Sequence, residues 1–179
     1  EGYFQSKHLS HRIHEYIQEN RDNVKGKNSF RKRYNNNNDC FIHIRLGDVE
    51  HKNAGFDYYD SILRTLSVDN IYVATDSPDH VIVDKLKKMH NIILLEETFD
   101  TESEEIKLQK IIQFGSTAKH VVLSYGSFSA MIGYLSYDSF VYFHKGTPET
   151  CWDWGKNCSM FDTQYTTTKG NWQMIAPFS

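Results

Sequence analysis

The chain is poor in cysteine: three in 179 residues are too few for a disulfide scaffold. No apolar run approaches the roughly 20 residues that span a bilayer, and no signal-peptide pattern opens the chain. An excess of basic charge is also missing. Twenty Lys and Arg stand against 23 Asp and Glu, a formal net charge of -3, whereas a nucleic-acid binder working by bulk charge leans strongly basic. No G-x-G-x-x-G follows the first strand candidate and no G-x-x-x-x-G-K occurs anywhere, which disfavours a dinucleotide dehydrogenase and a P-loop ATPase. There is no Asp-x-Asp pair to hold a divalent ion against a sugar-nucleotide diphosphate. Gly126 to Phe128 is not a G-x-S-x-G elbow, so a nucleophilic triad has no support.

What is present suits one globular domain, of the usual ~100–200 residues. Apolar residues make up 39% and aromatic residues 14%, enough for a sizeable core and against disorder. Residue 1 is Glu, which reads as a processed or cut end. Leu9, Ile13, Tyr16 and Ile17 share one face of an N-terminal helix over residues 1–19. His8, His11 and His14 point away from that stripe and read as a solvated face, with a zinc site as the alternative. Residues 20–39 are polar, carry Arg31, Lys32 and Arg33, and end in four asparagines, a pattern that predicts a surface loop or linker. The basic cluster reads as solvated, or as a contact for a phosphate-bearing partner.

Residues 40–145 alternate between strand and helix patterns. Strands are expected at Cys40–Arg45, Asn70–Thr75, Asn91–Leu95, His120–Ser124 and Ser139–Phe143, each short, rich in Val and Ile, and suited to burial on both faces. Helices are expected at Tyr58–Leu66, Pro78–Met89, Glu102–Gly115 and Phe128–Tyr137. Ser77 and Pro78 form a start signal for the second, which places Asp79 in its first turn. The alternation predicts a Rossmann-like three-layer α/β/α domain with a mainly parallel sheet. Residues 146–179 hold Trp152, Trp154 and Trp172 and read as a tail packing on the core, irregular apart from a short helix or strand. Tyr58 and Tyr59 are expected to pack, one into the core and one at the surface. Cys151 and Cys158 are free thiols, or a pair in an oxidising lumen. Asn157-Cys158-Ser159 formally fits a glycosylation acceptor.

In an open parallel sheet, ligands bind beyond the carboxyl ends of the strands. Arg45, Leu46, Gly47 and Asp48 follow the first strand, with His43 just before. Thr75, Asp76 and Ser77 follow the second. Ser124, Tyr125, Gly126, Ser127, Phe128 and Ser129 follow the fourth and lead into a helix. Gly126 allows close backbone approach, while the Ser127 and Ser129 hydroxyls and the first helical N–H groups can donate to an anion. Arg45 adds a fork that suits phosphate. Together these predict a diphosphate cradle reached from two strands.

Gly2-Tyr3-Phe4-Gln5-Ser6, His43-Ile44-Arg45-Leu46-Gly47-Asp48 and Ser124-Tyr125-Gly126-Ser127-Phe128-Ser129 resemble, in order, three motifs of the alpha-1,2-fucosyltransferase family. These are G-Y-F/W-Q-S, H-x-R-R-G-D and S-N-S-S/T-F-S-W-W. Val73-Ala74-Thr75-Asp76 resembles a strand shared with the wider superfamily, and Asn171-Trp172-Gln173-Met174-Ile175 resembles the family's closing segment. The resemblance implies the C-terminal, donor-binding half of a GT-B enzyme that transfers fucose from GDP-fucose to a glycan hydroxyl, inverting and without a metal or other cofactor. It also implies that an acceptor domain, carrying the family's G-x-G-N-Q-x-F motif, precedes Gly2. Arg45 would bind the β-phosphate and offset charge on the leaving GDP. His43 would lie beside the nucleotide, Asp76 and Ser77 in its pocket, and Ser127, Phe128 and Ser129 at the phosphate-binding helix start. Asp48 is a candidate catalytic base, or a cap of the turn.

The chain departs from the family at four places. Leu46 replaces the second Arg, Ala130 and Met131 replace the paired tryptophans, and Ile111 stands where related enzymes place an acid that reads guanine. The alternatives are another GDP- or UDP-sugar transferase, or a donor-binding domain without transfer activity. The expected partners are the nucleotide sugar and a glycan acceptor, with no nucleic acid and no transmembrane segment. The expected compartment is cytoplasmic, or the Golgi lumen for a membrane-anchored enzyme.

Overall fold

Short, nearly continuous apolar runs can satisfy their backbone only by pairing inside a sheet, and here all such pairings are parallel. The computed structural model describes residues 7–99, 103–144 and 172–175. In chain order the elements are α1 (Lys7–Glu19), α2 (Arg21–Lys27), β1 (Cys40–Ile44), α3 (Phe56–Thr65), β2 (Ile71–Thr75), α4 (Val81–Met89) and β3 (Ile92–Leu94). There follow the single turn α5 (Leu95–Thr98), α6 (Glu104–Gly115), β4 (His120–Val122), α7 (Ser127–Leu135), β5 (Phe140–His144) and β6 (Trp172–Ile175). The sheet order β3-β2-β1-β4-β5-β6 is that of a Rossmann fold. The chain works outward from β1 to β3, then crosses back to lay β4 on the other side of β1. That reversal leaves a crevice between the ends of β1 and β4.

Strand alternation divides the core. Cys40, Ile42 and Ile44 face one layer, where Tyr58, Tyr59, Ile62 and Leu63 of α3 meet Val83 and Leu86 of α4. Phe41 faces the other, with Ile111 and Phe114 of α6 and Ile132 of α7. Full burial of a side chain such as Ile42 contributes roughly 1.5–3 kcal/mol. Both tyrosines are buried rather than divided between core and surface. The Tyr58 hydroxyl donates toward the Leu123 and Tyr142 carbonyls at 3.0 and 3.3 Å, and so satisfies its polar end in the core. No helix among the described residues is long and apolar enough to cross a membrane.

Two expectations need correction. Residues 20–39 are not a plain loop: they hold α2 and a 3-10 turn at Arg31–Arg33. No α2 residue is buried, so apolar periodicity carries no trace of the helix. Ion pairs from Arg21 and Lys25 to Asp138, far along the chain, anchor it. Of the basic cluster, Arg33 is structural, pairing with Asp39 at 2.9 Å and lying 4.0 Å over the Phe114 ring. Asn37 knits this segment to the sheet, donating to the Arg33 and Thr117 carbonyls and accepting from the Asp39 and Lys119 amides.

The second correction concerns α4, which begins at Val81, not Pro78. The His80 ring, not Ser77, caps it by accepting the Ile82 amide at 3.2 Å. Asp79 therefore lies before the helix. The tail does return to the sheet, as β6 beside β5. The side chains of His8, His11 and His14, the Gly2–Ser6 motif, Cys151, Cys158 and Asn157 lie outside the described residues.

Gly115 closes α6 directly against β1, where an added Cβ would stand 2.7 Å from the Phe41 ring. Gly115→Ala should lower stability by about 1–3 kcal/mol through overpacking. Denaturant unfolding checks this, and an unchanged midpoint would mean that α6 yields freely.

Candidate functional site

The loop after β1 is stitched to the loops after β2 and β4. The Asp76 carboxylate accepts the Leu46 amide at 2.9 Å through Oδ1 and pairs with the Arg45 guanidinium at 2.6 Å through Oδ2. Ser77 Oγ accepts the Gly47 amide at 3.3 Å. Gly47 is required by proximity, since a Cβ there would lie 2.8 Å from Asp76 Oδ2. On the other side, the Arg45 amide donates to Ser124 Oγ at 3.1 Å. Asn53 donates to the Arg45 carbonyl at 2.9 Å and to the Tyr59 hydroxyl at 3.0 Å, and Tyr59 reaches Ser124 Oγ at 3.2 Å. This polar hub fixes where the Arg45 side chain emerges.

A cleft of about 660 Å³ opens at these strand ends. His43, Arg45, Asp48, Asp76, Gly126, Ser127 and Phe128 all line it, so residues distant in sequence share one space. Gly126 has φ 106°, a left-handed conformation that glycine adopts without strain, and it turns the chain into α7. The first amides of α7 have no partner within the helix and face the end of the sheet with the positive pole of the dipole.

Ser77, Ser124 and Ser129 are not among the lining residues. Ser129 is wholly buried, and its Oγ accepts the Ser124 amide at 2.8 Å. It shapes the turn instead of donating to an anion, because its hydroxyl lies on the sheet side of α7. Ser124 and Ser77 likewise serve the Arg45 loop. Leu46, where the family motif has a second Arg, is wholly buried in the α3–α4 layer.

Arg45 is the centre of charge. Asp48 takes its second edge at 2.5 Å, so the guanidinium is forked between two carboxylates. The Asp48 side chain is 73% exposed, whereas Asp76 is fixed by its backbone contact. Asp48 is thus the more easily displaced of the two carboxylates. Lys52 and Lys107 add cationic charge to the walls, and Glu96 and Glu104 add carboxylates. Among the described residues, no group of three or more His, Cys, Asp and Glu side chains could hold a metal ion.

Sequence reasoning missed Asn53, Tyr59 and Glu96. Asn53 acts from the extended residue after the 3-10 segment Gly47–Lys52 and Tyr59 from α3, and neither position carries a motif. Glu96 follows β3, a strand end that deserved the same question as the others.

His43 is buried on β1, its ring 5.1 Å from that of Phe128, and its Nδ1 has no hydrogen-bond partner among the described residues. Burial pulls its pKa down to about 4, against the opposing pull of Asp76. The ring is therefore neutral near pH 7. No protein-family model and no curated protein matches the chain.

A depressed histidine pKa means that the unfolded chain takes up the proton first. Stability should thus be full above the unfolded value of about 6.5 and fall as the pH drops toward 4. The loss from this residue is about 3 kcal/mol, at ~1.4 kcal/mol per pH unit. Urea unfolding of the native chain and His43→Gln across this range checks it. The variant should show the shallower pH dependence, and parallel curves would contradict the assignment.

Proposed function

We propose that this chain is the donor-binding domain of a glycosyltransferase related to the alpha-1,2-fucosyltransferases. On this reading it transfers fucose from GDP-fucose to a glycan hydroxyl, with inversion and without a metal ion. The observation that carries the reading is the convergence of Arg45 and the Gly126–Phe128 helix start on one cleft at the β1–β4 switch point. A diphosphate is the ligand that uses both, one phosphate on the guanidinium fork and one on the amides of α7. The motif order His43-x-Arg45 and Ser127-Phe128-Ser129 supports the fucosyltransferase family in particular.

The acceptor oxygen attacks the anomeric carbon while the bond from that carbon to the β-phosphate oxygen breaks, and its electron pair leaves with GDP. Arg45 stabilises the charge that develops on the diphosphate, with Lys52 adding to the field of the cleft. The acceptor proton needs a base. Asp48 becomes available for that role once phosphate has taken its place on Arg45, since this carboxylate otherwise pairs with the guanidinium. Neutral His43 and the Phe128 ring line the nucleotide side.

Ile111 favours a second reading. It is buried, apolar and part of the cleft wall where related enzymes carry an acid, which leaves room for another nucleotide sugar. Calorimetry of the 179-residue chain with GDP, GDP-fucose, UDP and UDP-sugars decides between the two. GDP and GDP-fucose should bind and the uridine ligands should not. Binding of none would overturn the transferase reading, and binding without turnover beside an acceptor domain would make the chain a binding module.

Arg45→Ala should weaken GDP at least about tenfold, because it removes a charge-assisted contact. Asp48→Asn should strengthen GDP binding several-fold by freeing one edge of Arg45, yet lower turnover. Loss of GDP affinity in Asp48→Asn would contradict the displacement just described.

A further inference from the structure

Glu96 is the acidic residue that the proposed chemistry leaves unused. It is the second residue of the α5 turn, which directly follows β3, and it lines the same cleft. Its Oε1 accepts the Thr75 amide at 2.7 Å, which fixes the carboxylate across the ends of β2 and β3. Its Oε2 is buried and has no hydrogen-bond partner among the described residues. An orphaned carboxylate oxygen in a cleft is unfavourable until a ligand N–H reaches it.

Position decides which part of a nucleotide that would be. Arg45 follows β1 and Glu96 follows β3, two strand spacings apart, or roughly 10 Å across the sheet. With the diphosphate on Arg45 and α7, that reach exceeds the distance to the ribose and matches the distance to the base. The wall on that side is mixed, with Glu104 and Lys107 of α6 beside apolar side chains. Leu108 and Ile111, one turn apart on α6, and Ala74 on β2 offer flat contact for a ring face. Leu108 is 43% exposed, a large apolar side chain at an open cleft.

We propose that Glu96 is the residue that selects the base, its carboxylate receiving two adjacent N–H donors of a guanine ring. The assignment rests on the nucleotide-sugar reading given above. Guanine is the base whose pairing edge presents two neighbouring donors, N1–H and the 2-amino group. Uracil flanks its one N–H with carbonyl oxygens, which a carboxylate repels. The amino groups of adenine and cytosine are each flanked by an acceptor nitrogen. Selection by an acid in the α5 turn also accounts for an apolar Ile111 on α6, because the carboxylate comes from a different element of the same cleft. Burial raises the Glu96 carboxyl above its ordinary range, against backbone amides and Lys107, so its charged form gains from each new donor.

The test measures GDP, IDP, ADP and inorganic pyrophosphate binding to the full chain, to Glu96→Gln and to Glu96→Asp. Glutamine keeps an oxygen for the Thr75 amide but presents an NH2 group to the base. Aspartate keeps the charge and withdraws it by one methylene, a second variant should the first fail to fold. In the unmodified chain GDP should bind more tightly than IDP, which lacks the 2-amino group, and IDP more tightly than ADP. Each variant should weaken GDP at least about tenfold and compress that order, with pyrophosphate affinity unchanged. GDP affinity unchanged in both variants, while Arg45→Ala still loses GDP, would overturn Glu96 alone. Pyrophosphate binding to the unmodified chain with no preference among nucleotides would also overturn Glu96. Failure of every ligand, pyrophosphate included, would overturn the nucleotide reading and Glu96 with it.

Discussion

The Arg45 guanidinium lies between Asp76 at 2.6 Å and Asp48 at 2.5 Å, and Asp76 also holds the Leu46 amide at 2.9 Å. One carboxylate thus joins the loop after β2 to the loop after β1, and the Arg45 amide joins the latter to Ser124 after β4. The pairs are partly solvated, so their net contribution to stability is small, about 0–1 kcal/mol each. Their importance is positional. They settle where the Arg45 guanidinium emerges at the switch point.

Two acids around one guanidinium leave a local excess of negative charge, which repels an anion until one acid withdraws. The two are unequal. Asp76 is tied to backbone, while Asp48 lies in solvent in the first turn of a 3-10 segment, Gly47–Lys52. Of the two ion pairs at the cleft, Arg45–Asp48 is therefore the one that a competing anion opens more easily. The sheet beneath provides rigidity and no chemistry: β1 is buried along its whole length, and only His43 among its side chains reaches the cleft.

The strands were legible because burial on both faces demands continuous apolar runs, as in Cys40–Ile44 and Ile71–Thr75. Helices with one buried face were legible for the same reason, within two or three residues at their ends. What failed to show was structure stabilised from afar. α2 depends on Asp138, over a hundred residues on, and Ser77-Pro78 resembles a helix start although His80 caps α4. The site divided along the same line. Arg45, Asp48, Asp76 and Gly126 were legible as strand-end residues. Ser124 and Ser129 have the composition of anion donors, but the Ser124 amide takes the Ser129 hydroxyl and turns it inward. Glu96 looks like one acid in a surface pair until the Thr75 amide and the cleft around it are seen together.

The central claim is that a diphosphate binds where β1, β4 and α7 converge. Titration of the 15N-labelled chain with GDP, followed by backbone and arginine side-chain NMR, tests it most directly. The largest shifts should fall on the amides of Arg45–Gly47 and Gly126–Phe128, with the Arg45 Nε signal moving as Asp48 is displaced. Unmoved signals there, with shifts gathered on the α3–α4 face or nowhere at all, would contradict the account.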